Sequence, residues 1–102
     1  MTPVNYTHLH TLRSMEFVLV SFWASWCSAC EIQRKTLELL EKERPDIFIA
    51  TVDVGENRYL AQQFHVNNVP DLLLIKRGEV VSQINGIQPH VNIISQINKH
   101  LL

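Results

Sequence analysis

Two cysteines, Cys27 and Cys30, are the only ones in the chain, and two residues separate them. They follow an apolar run at residues 17–24 and precede a segment, residues 31–44, whose apolar spacing is typical of a helix. The thiols are therefore predicted to lie where a buried strand ends and a helix begins. A cysteine pair with this spacing at a strand–helix junction is typical of a dithiol that exchanges with disulfides.

The predicted position at a helix start explains why these thiols are expected to react. The first helical turn has backbone N–H groups without intrahelical partners and the positive end of the helix dipole. Both favour the thiolate, which is the nucleophilic form of cysteine. We therefore predict that Cys27, at the helix entrance and partly exposed, attacks a substrate disulfide. Cys30, one turn further in and more buried, is predicted to resolve the mixed disulfide.

Length and charge exclude several other classes of protein. A chain of 102 residues, 46% of them hydrophobic, fits a single domain over residues 1–102. With 9 basic and 10 acidic side chains, it has no basic patch for nucleic acid. The apolar run is shorter than the about 20 residues that span a bilayer. No basic cluster and apolar core mark a secretory signal, so we expect a cytoplasmic protein without nucleic-acid or membrane partners.

The remaining pattern predicts an α/β domain. Strands are predicted at 2–5, 17–24, 47–54, 71–76 and 79–84, and helices at 6–14, 31–44, 57–64 and from Pro89 onward. Alternation of strands and helices favours parallel pairing through right-handed crossovers, and Arg77-Gly78 favours a final antiparallel hairpin. The result is a central mixed β-sheet flanked by helices on both faces. The inward helix faces are predicted to contain Ile32, Thr36, Leu39 and Leu40 in the second helix, and Val91, Ile94, Ile97 and Leu101 in the last.

The segment 22–30, Phe-Trp-Ala-Ser-Trp-Cys-Ser-Ala-Cys, resembles the active-site segment of the thioredoxin family. The resemblance extends over nearly the whole chain. It implies the thioredoxin fold and a thiol–disulfide oxidoreductase that acts on protein disulfides. It implies no metal or organic cofactor, and it implies that a reductase, such as a thioredoxin reductase, recycles the dithiol.

The resemblance also implies a substrate groove. Pro70 matches the family's cis-proline, which faces the cysteines, and the backbone of Val69 before it is expected to bind an extended peptide by strand addition. Trp26 matches an exposed aromatic residue of the site. Gly86 matches a third groove segment, where glycine lets a substrate backbone come close; an ordinary turn glycine is the alternative interpretation.

Two departures from the family pattern concern the core below the cysteines. Ser21 stands where typical thioredoxins have a buried aspartate, and we assign its usual lysine partner to the position of Ile49. Loss of both charged groups is compatible with a stable fold, because replacing a buried ion pair by less polar groups is often neutral. It is expected to slow resolution by Cys30.

Further departures bring negative charge towards the cysteines. Asp71 stands where threonine commonly follows the proline, and Glu31 where a lysine or arginine is common. Nearby carboxylates disfavour a thiolate, so we expect a less stabilised thiolate than in a typical thioredoxin; alternatively, Asp71 supplies the acid–base group missing at Ser21. Ser28-Ala29 between the cysteines replaces the family's usual glycine and proline, which affects the redox poise.

Two alternative functions remain open at this point. A binding or scaffold module with the same fold but weak or no redox activity is favoured by the departures and opposed by the intact cysteine pair. A zinc site usually takes four ligands, and the chain has neither a second cysteine pair nor a histidine pair with finger spacing. His8 and His10 are interpreted as solvated surface residues.

Overall fold

A computed structural model describes residues 1–101 and confirms the predicted α/β architecture. The elements are β1 (Thr2–Pro3), a 3-10 turn (Tyr6–His8), α1 (Leu9–Ser14), β2 (Phe17–Trp23), α2 (Ser28–Glu43), β3 (Ile49–Asp53), α3 (Arg58–Gln63), β4 (Asp71–Lys76), β5 (Glu79–Asn85) and α4 (His90–Leu101). The sheet order is β1-β3-β2-β4-β5. The first three strands pair in parallel, whereas β4 and β5 add antiparallel.

Each face of the sheet has its own core because successive strand residues point to opposite sides. On one side, which we call the α1–α3 face, Leu12, Leu60 and Phe64 pack on strand residues such as Phe22. On the other, the α2–α4 face, Leu37, Leu40, Ile93 and Ile97 pack on strand residues such as Leu19 and Leu72. The prediction of helices on both faces is therefore confirmed.

The predicted inward face of α2 is wrong in part. Ile32 and Leu39 are 55% and 49% exposed, while the buried positions are Cys30, Gln33, Leu37 and Leu40. These four follow the i, i+3, i+7, i+10 spacing of one helix face. The polar Gln33 in the middle of the stripe obscured it in the sequence.

The predicted inward face of α4 is also only partly right. Ile97 is fully buried, but the second buried residue is Ile93, and Ile94 is only partly buried. Val91 and Leu101 are exposed. Since Ile93 and Ile97 are four residues apart, they lie one above the other on the face that meets the sheet.

The β4–β5 hairpin turns at Arg77 and Gly78, which both have positive φ angles of 51° and 84°. Such angles suit the two central residues of a tight hairpin turn. A Cβ on Gly78 would lie 2.8 Å from the carbonyl oxygen of Arg13. Glycine is therefore required at position 78 by the turn and by the close contact with Arg13, near the C-terminal end of α1.

The Gly78→Ala substitution is expected to lower the free energy of unfolding by about 1–3 kcal/mol, because it adds steric contact to backbone strain. Gly86→Ala is the matched control, since φ there is 73° but no atom lies within 4 Å of the new Cβ. Urea unfolding of both variants gives the comparison. Equal losses in the two would show that the contact with Arg13 contributes nothing.

Among residues 1–101, no helix combines the length and the apolar character that crossing a bilayer requires.

Candidate active site

Cys27 is the N-cap residue of α2, and Cys30 lies in its first turn. The two cysteines form a disulfide with a Cα–Cα distance of 5.3 Å, which is within the usual range for such bonds. Cys27 is partly exposed, whereas Cys30 is only 6% exposed. The predicted difference in burial between the two cysteines is confirmed.

The sulfur of Cys27 accepts a hydrogen bond from the backbone N–H of Cys30, with a donor–sulfur distance of 3.1 Å. That N–H is one of the donors that the start of a helix leaves without an intrahelical partner. A donor in this place favours the charged form of the sulfur once the disulfide is reduced. The local geometry therefore distinguishes the two thiols and favours Cys27 as the thiolate.

A cleft of about 950 Å³ lies between α2 and the α2–α4 face of the sheet. Trp26 is 71% exposed beside it, and Ser21 is buried. Among the residues lining the cleft are both cysteines, Ser21, Trp26, Gln33, Thr51 and Pro70.

Two further segments were predicted to contribute to the substrate groove. The Val69–Pro70 peptide bond is cis, as the family resemblance implied, and Pro70 lines the same cleft as the cysteines. Gly86 donates its N–H to the carbonyl oxygen of Pro70 at 2.9 Å, which links the end of β5 to the start of β4. Gly86 has a φ of 73°, and the space that a side chain would fill there is open.

The residue opposite Ser21 differs from the one we assigned. In the parallel β2–β3 register Ser21 lies beside Thr51, whereas Ile49 lies beside Leu19 in the α2–α4 core. Ile49 and Thr51 are two residues apart and share one face of the strand, so the apolar pattern alone does not separate the two registers. The β3 residue beside Ser21 is therefore Thr51. Two hydroxyl side chains lie next to each other where the resemblance implied that the family's acid and its lysine partner are absent.

Asp71 is 2% exposed and begins β4. Its Oδ2 accepts a hydrogen bond from Gln83 Nε2 at 2.7 Å, while Oδ1 has no partner among the residues described. Burial raises the pKa of this carboxyl, and the bonds from Gln83 and from the Leu72 backbone act in the opposite direction. The position is unfavourable for a charge, so neutralisation by a proton is favoured.

Asp71 and Ser21 lie on opposite faces of the sheet. Asp71 alternates with Leu73 and pairs with Phe22, both of which belong to the α1–α3 core. Ser21 alternates with Leu19 and belongs to the α2–α4 face. Asp71 therefore does not occupy the place beneath α2 that an acid at position 21 would take.

Glu31 is exposed and binds the guanidinium of Arg34. Arg34 lowers the pKa of the Glu31 carboxyl through this hydrogen bond. Arg34 also pairs with Glu38 at 2.9 Å. The negative charge of Glu31, next to Cys30 in the sequence, is therefore paired with the positive charge of Arg34 one turn further along α2.

Gln33 is a buried residue of the site that our sequence reasoning missed. It is 1% exposed, and its Oε1 accepts a hydrogen bond from the backbone N–H of Gln88 at 3.0 Å. The signal present in the sequence is a glutamine in the same helical stripe as Cys30, Leu37 and Leu40. An amide at such a position needs a buried partner.

Within residues 1–101, no group of three or more histidine, cysteine, aspartate or glutamate side chains could hold a metal ion.

A cysteine pair at disulfide distance at a helix start, with a cis-proline lining the same cleft, defines a thiol–disulfide oxidoreductase. The chain belongs to the thioredoxin family, whose sequence model matches residues 2–99. The thioredoxin of Bacillus subtilis is 40% identical over 85 residues, which cover 82% of this chain and 82% of that protein. The thioredoxin of Chlorobaculum thiosulfatiphilum is 37% identical over 91 residues, covering 88% and 84%.

Solved structures agree with the fold. A mutant thioredoxin from Halobacterium salinarum matches with a TM-score of 0.90 and 32% identity, over 99% of this chain and 90% of that one. The oxidised mitochondrial thioredoxin 3 of Saccharomyces cerevisiae matches with a TM-score of 0.88 and 25% identity, over 97% and 94%. The family, the fold and the chemical class of the protein are thereby established.

Proposed function

We propose that the chain reduces protein disulfides through two successive exchanges. The Cys27 thiolate attacks one substrate sulfur, forms a mixed disulfide and releases the other substrate sulfur as a thiolate. Cys30, as a thiolate, then attacks the Cys27 sulfur, which releases the second substrate thiol and leaves the Cys27–Cys30 disulfide. Two electrons pass from the protein to the substrate. The observation that supports these roles is the N–H donor on Cys27 combined with the burial of Cys30.

The substrate is proposed to bind as an extended peptide across the three segments around the sulfurs. The backbone of Val69 offers main-chain hydrogen bonds, which give affinity with little sequence preference. Pro70 and Gly86 are joined by the bond between Gly86 N–H and the Pro70 carbonyl, so they form one continuous edge. Trp26 is largely exposed and offers an aromatic surface beside Cys27.

Recycling and location are proposed from family membership. The oxidised pair is expected to be reduced by a partner such as a thioredoxin reductase, and the protein is expected to work in electron transport and redox balance in the cytoplasm. The bacterial relatives are themselves named thioredoxins. No metal or organic cofactor is assigned to the chain itself.

The roles of the two sulfurs are tested by trapping the mixed disulfide. A Cys30→Ser variant is expected to accumulate a covalent complex with a protein disulfide substrate, because the resolving thiol is absent. The adduct is measured by non-reducing electrophoresis and mass spectrometry, and reductant is expected to release it. The Cys27→Ser variant is the matched control. A stronger adduct in Cys27→Ser than in Cys30→Ser would reverse the assignment.

A binding module with weak redox activity is the second candidate function. It is favoured by the Ser21–Thr51 pair, which places two hydroxyl groups and no ionisable side chain side by side in the cleft. Retention of partner binding by a Cys27→Ser, Cys30→Ser double variant, together with little turnover by the unaltered protein, would support it. Rapid turnover by the unaltered protein would reject it.

A further inference from the structure

Gln33 joins the helix of the cysteines to the loop that follows the glycine segment. It lies three residues after Cys30 on the buried face of α2. Its Oε1 accepts the backbone N–H of Gln88 at 3.0 Å, a contact between residues 55 positions apart. No other side-chain hydrogen bond links α2 to residues 85–88 in the described part of the chain.

Gln88 in turn holds the glycine segment through its own side chain. Its Nε2 donates to the carbonyl oxygen of Asn85 at 3.1 Å, and its Oε1 accepts from Asn92 of α4 at 3.2 Å. Gly86, between Asn85 and Gln88, donates to the carbonyl oxygen of Pro70. A series of hydrogen bonds therefore connects α2, through Gln33 and Gln88, to the Asn85–Gly86 segment and on to Pro70, which lines the cysteine cleft.

Packing of the α2–α4 core does not by itself explain an amide at position 33. Because Oε1 is fixed by Gln88, Nε2 is the other end of the amide, and it is buried without a partner among residues 1–101. A buried donor without an acceptor destabilises a protein. The other buried residues of α2 after Cys30 are Leu37 and Leu40, so an apolar side chain would suit the same face.

We propose that Gln33 is a positioning residue for substrate binding, an inference that rests on the proposed function. Its carbonyl holds segment 85–88 at a fixed distance from the cysteine helix, so that an extended substrate meets Gly86 and Pro70 while its disulfide lies at Cys27. Gln33 itself touches no substrate. It acts through Gln88, and its contribution is specific to substrates long enough to span both segments.

The Gln33→Met variant tests this proposal because methionine has similar length and no acceptor of comparable strength. The KM for insulin is expected to rise about five- to tenfold, as for loss of one well-placed hydrogen bond. The kcat of Gln33→Met with insulin is expected to stay unchanged, since the chemistry at Cys27 is unaltered. Reduction of the small aromatic disulfide DTNB, which does not span the groove, is expected to stay within about twofold of the unaltered protein.

Two further measurements separate positioning from a general structural role. Hydrogen exchange at the Gln88 amide is expected to accelerate in Gln33→Met, while the thermal midpoint changes little, because loss of the bond to Gln88 is offset by removal of the unpartnered Nε2. An unchanged insulin KM in Gln33→Met, or an equal loss of activity with insulin and DTNB, would overturn this inference and leave the proposed function intact. Absence of insulin turnover by the unaltered protein would instead overturn the proposed function.

Discussion

The Cys27→Ser variant is expected to lose reduction of insulin by a factor on the order of 10³ or more, because a serine hydroxyl is not ionised at neutral pH and is a poor nucleophile towards sulfur. Cys30 does not replace Cys27 in this step. It is 6% exposed and lies one turn inside α2, so a protein disulfide does not approach its sulfur along the line of attack. The rate is measured as insulin precipitation with dithiothreitol as electron donor, after subtraction of the reaction without protein.

The controls for this prediction separate chemistry from folding. Ser95→Ala alters an exposed residue of α4 that does not line the cysteine cleft, so it is expected to keep most of the activity. Both variants are compared with the reduced form of the unaltered protein, because removal of either cysteine also removes the disulfide constraint. A rate in Cys27→Ser within tenfold of the unaltered protein would show that Cys30 attacks substrates directly.

Local signals in the sequence were sufficient for most of the architecture and for the reactive pair. An apolar run followed by two closely spaced cysteines predicted a strand and a helix start, and the structure has Cys27 as the N-cap of α2. Arg77-Gly78 between two strands predicted the hairpin, and both residues have the positive φ angles that suit such a turn. These features depend on neighbours within a few residues, which is why a single sequence contains them.

Contacts between distant segments could not be predicted in the same way. The β2–β3 register places Thr51 beside Ser21, but a shift of two residues to Ile49 preserves the apolar alternation equally well. The link from Gln33 to Gln88 depends on how α2 and the end of β5 meet in space. The cis bond before Pro70 was expected only from the family resemblance, since most bonds before proline are trans.

The Asp71→Asn variant is expected to be more stable than the unaltered protein at neutral pH by about 1–3 kcal/mol, because a neutral amide is cheaper to bury than a carboxylate with an unpartnered oxygen. Asp71 is 2% exposed; its Oδ2 accepts the side-chain hydrogen bond from Gln83, whereas Oδ1 has no partner among the residues described. The asparagine oxygen can still accept that bond. Asp71 pairs with Phe22 in the α1–α3 core, away from Ser21, so the stability effect is expected without a matching change in the cysteine chemistry.

The pH dependence of that gain identifies its cause. Burial raises the pKa of Asp71 above its ordinary value of 3.8, so the folded protein holds this proton more tightly than the unfolded chain. The stability that the proton provides is full below the ordinary pKa and is lost as pH rises through the raised pKa. The advantage of Asp71→Asn is therefore expected to grow from about pH 4 to about pH 7 in urea unfolding.

Asp46→Asn is the matched control, because its effect on stability is expected to have the opposite sign at neutral pH. Arg44 binds the exposed Asp46 carboxylate at 3.1 Å and lowers its pKa. That pair contributes stability above the ordinary pKa and loses it as pH falls through the lowered pKa, so Asp46→Asn is expected to be slightly less stable at neutral pH and equal in acid. A stability difference for Asp71→Asn that did not change with pH would show that the substitution alters packing and not the burial of a charge.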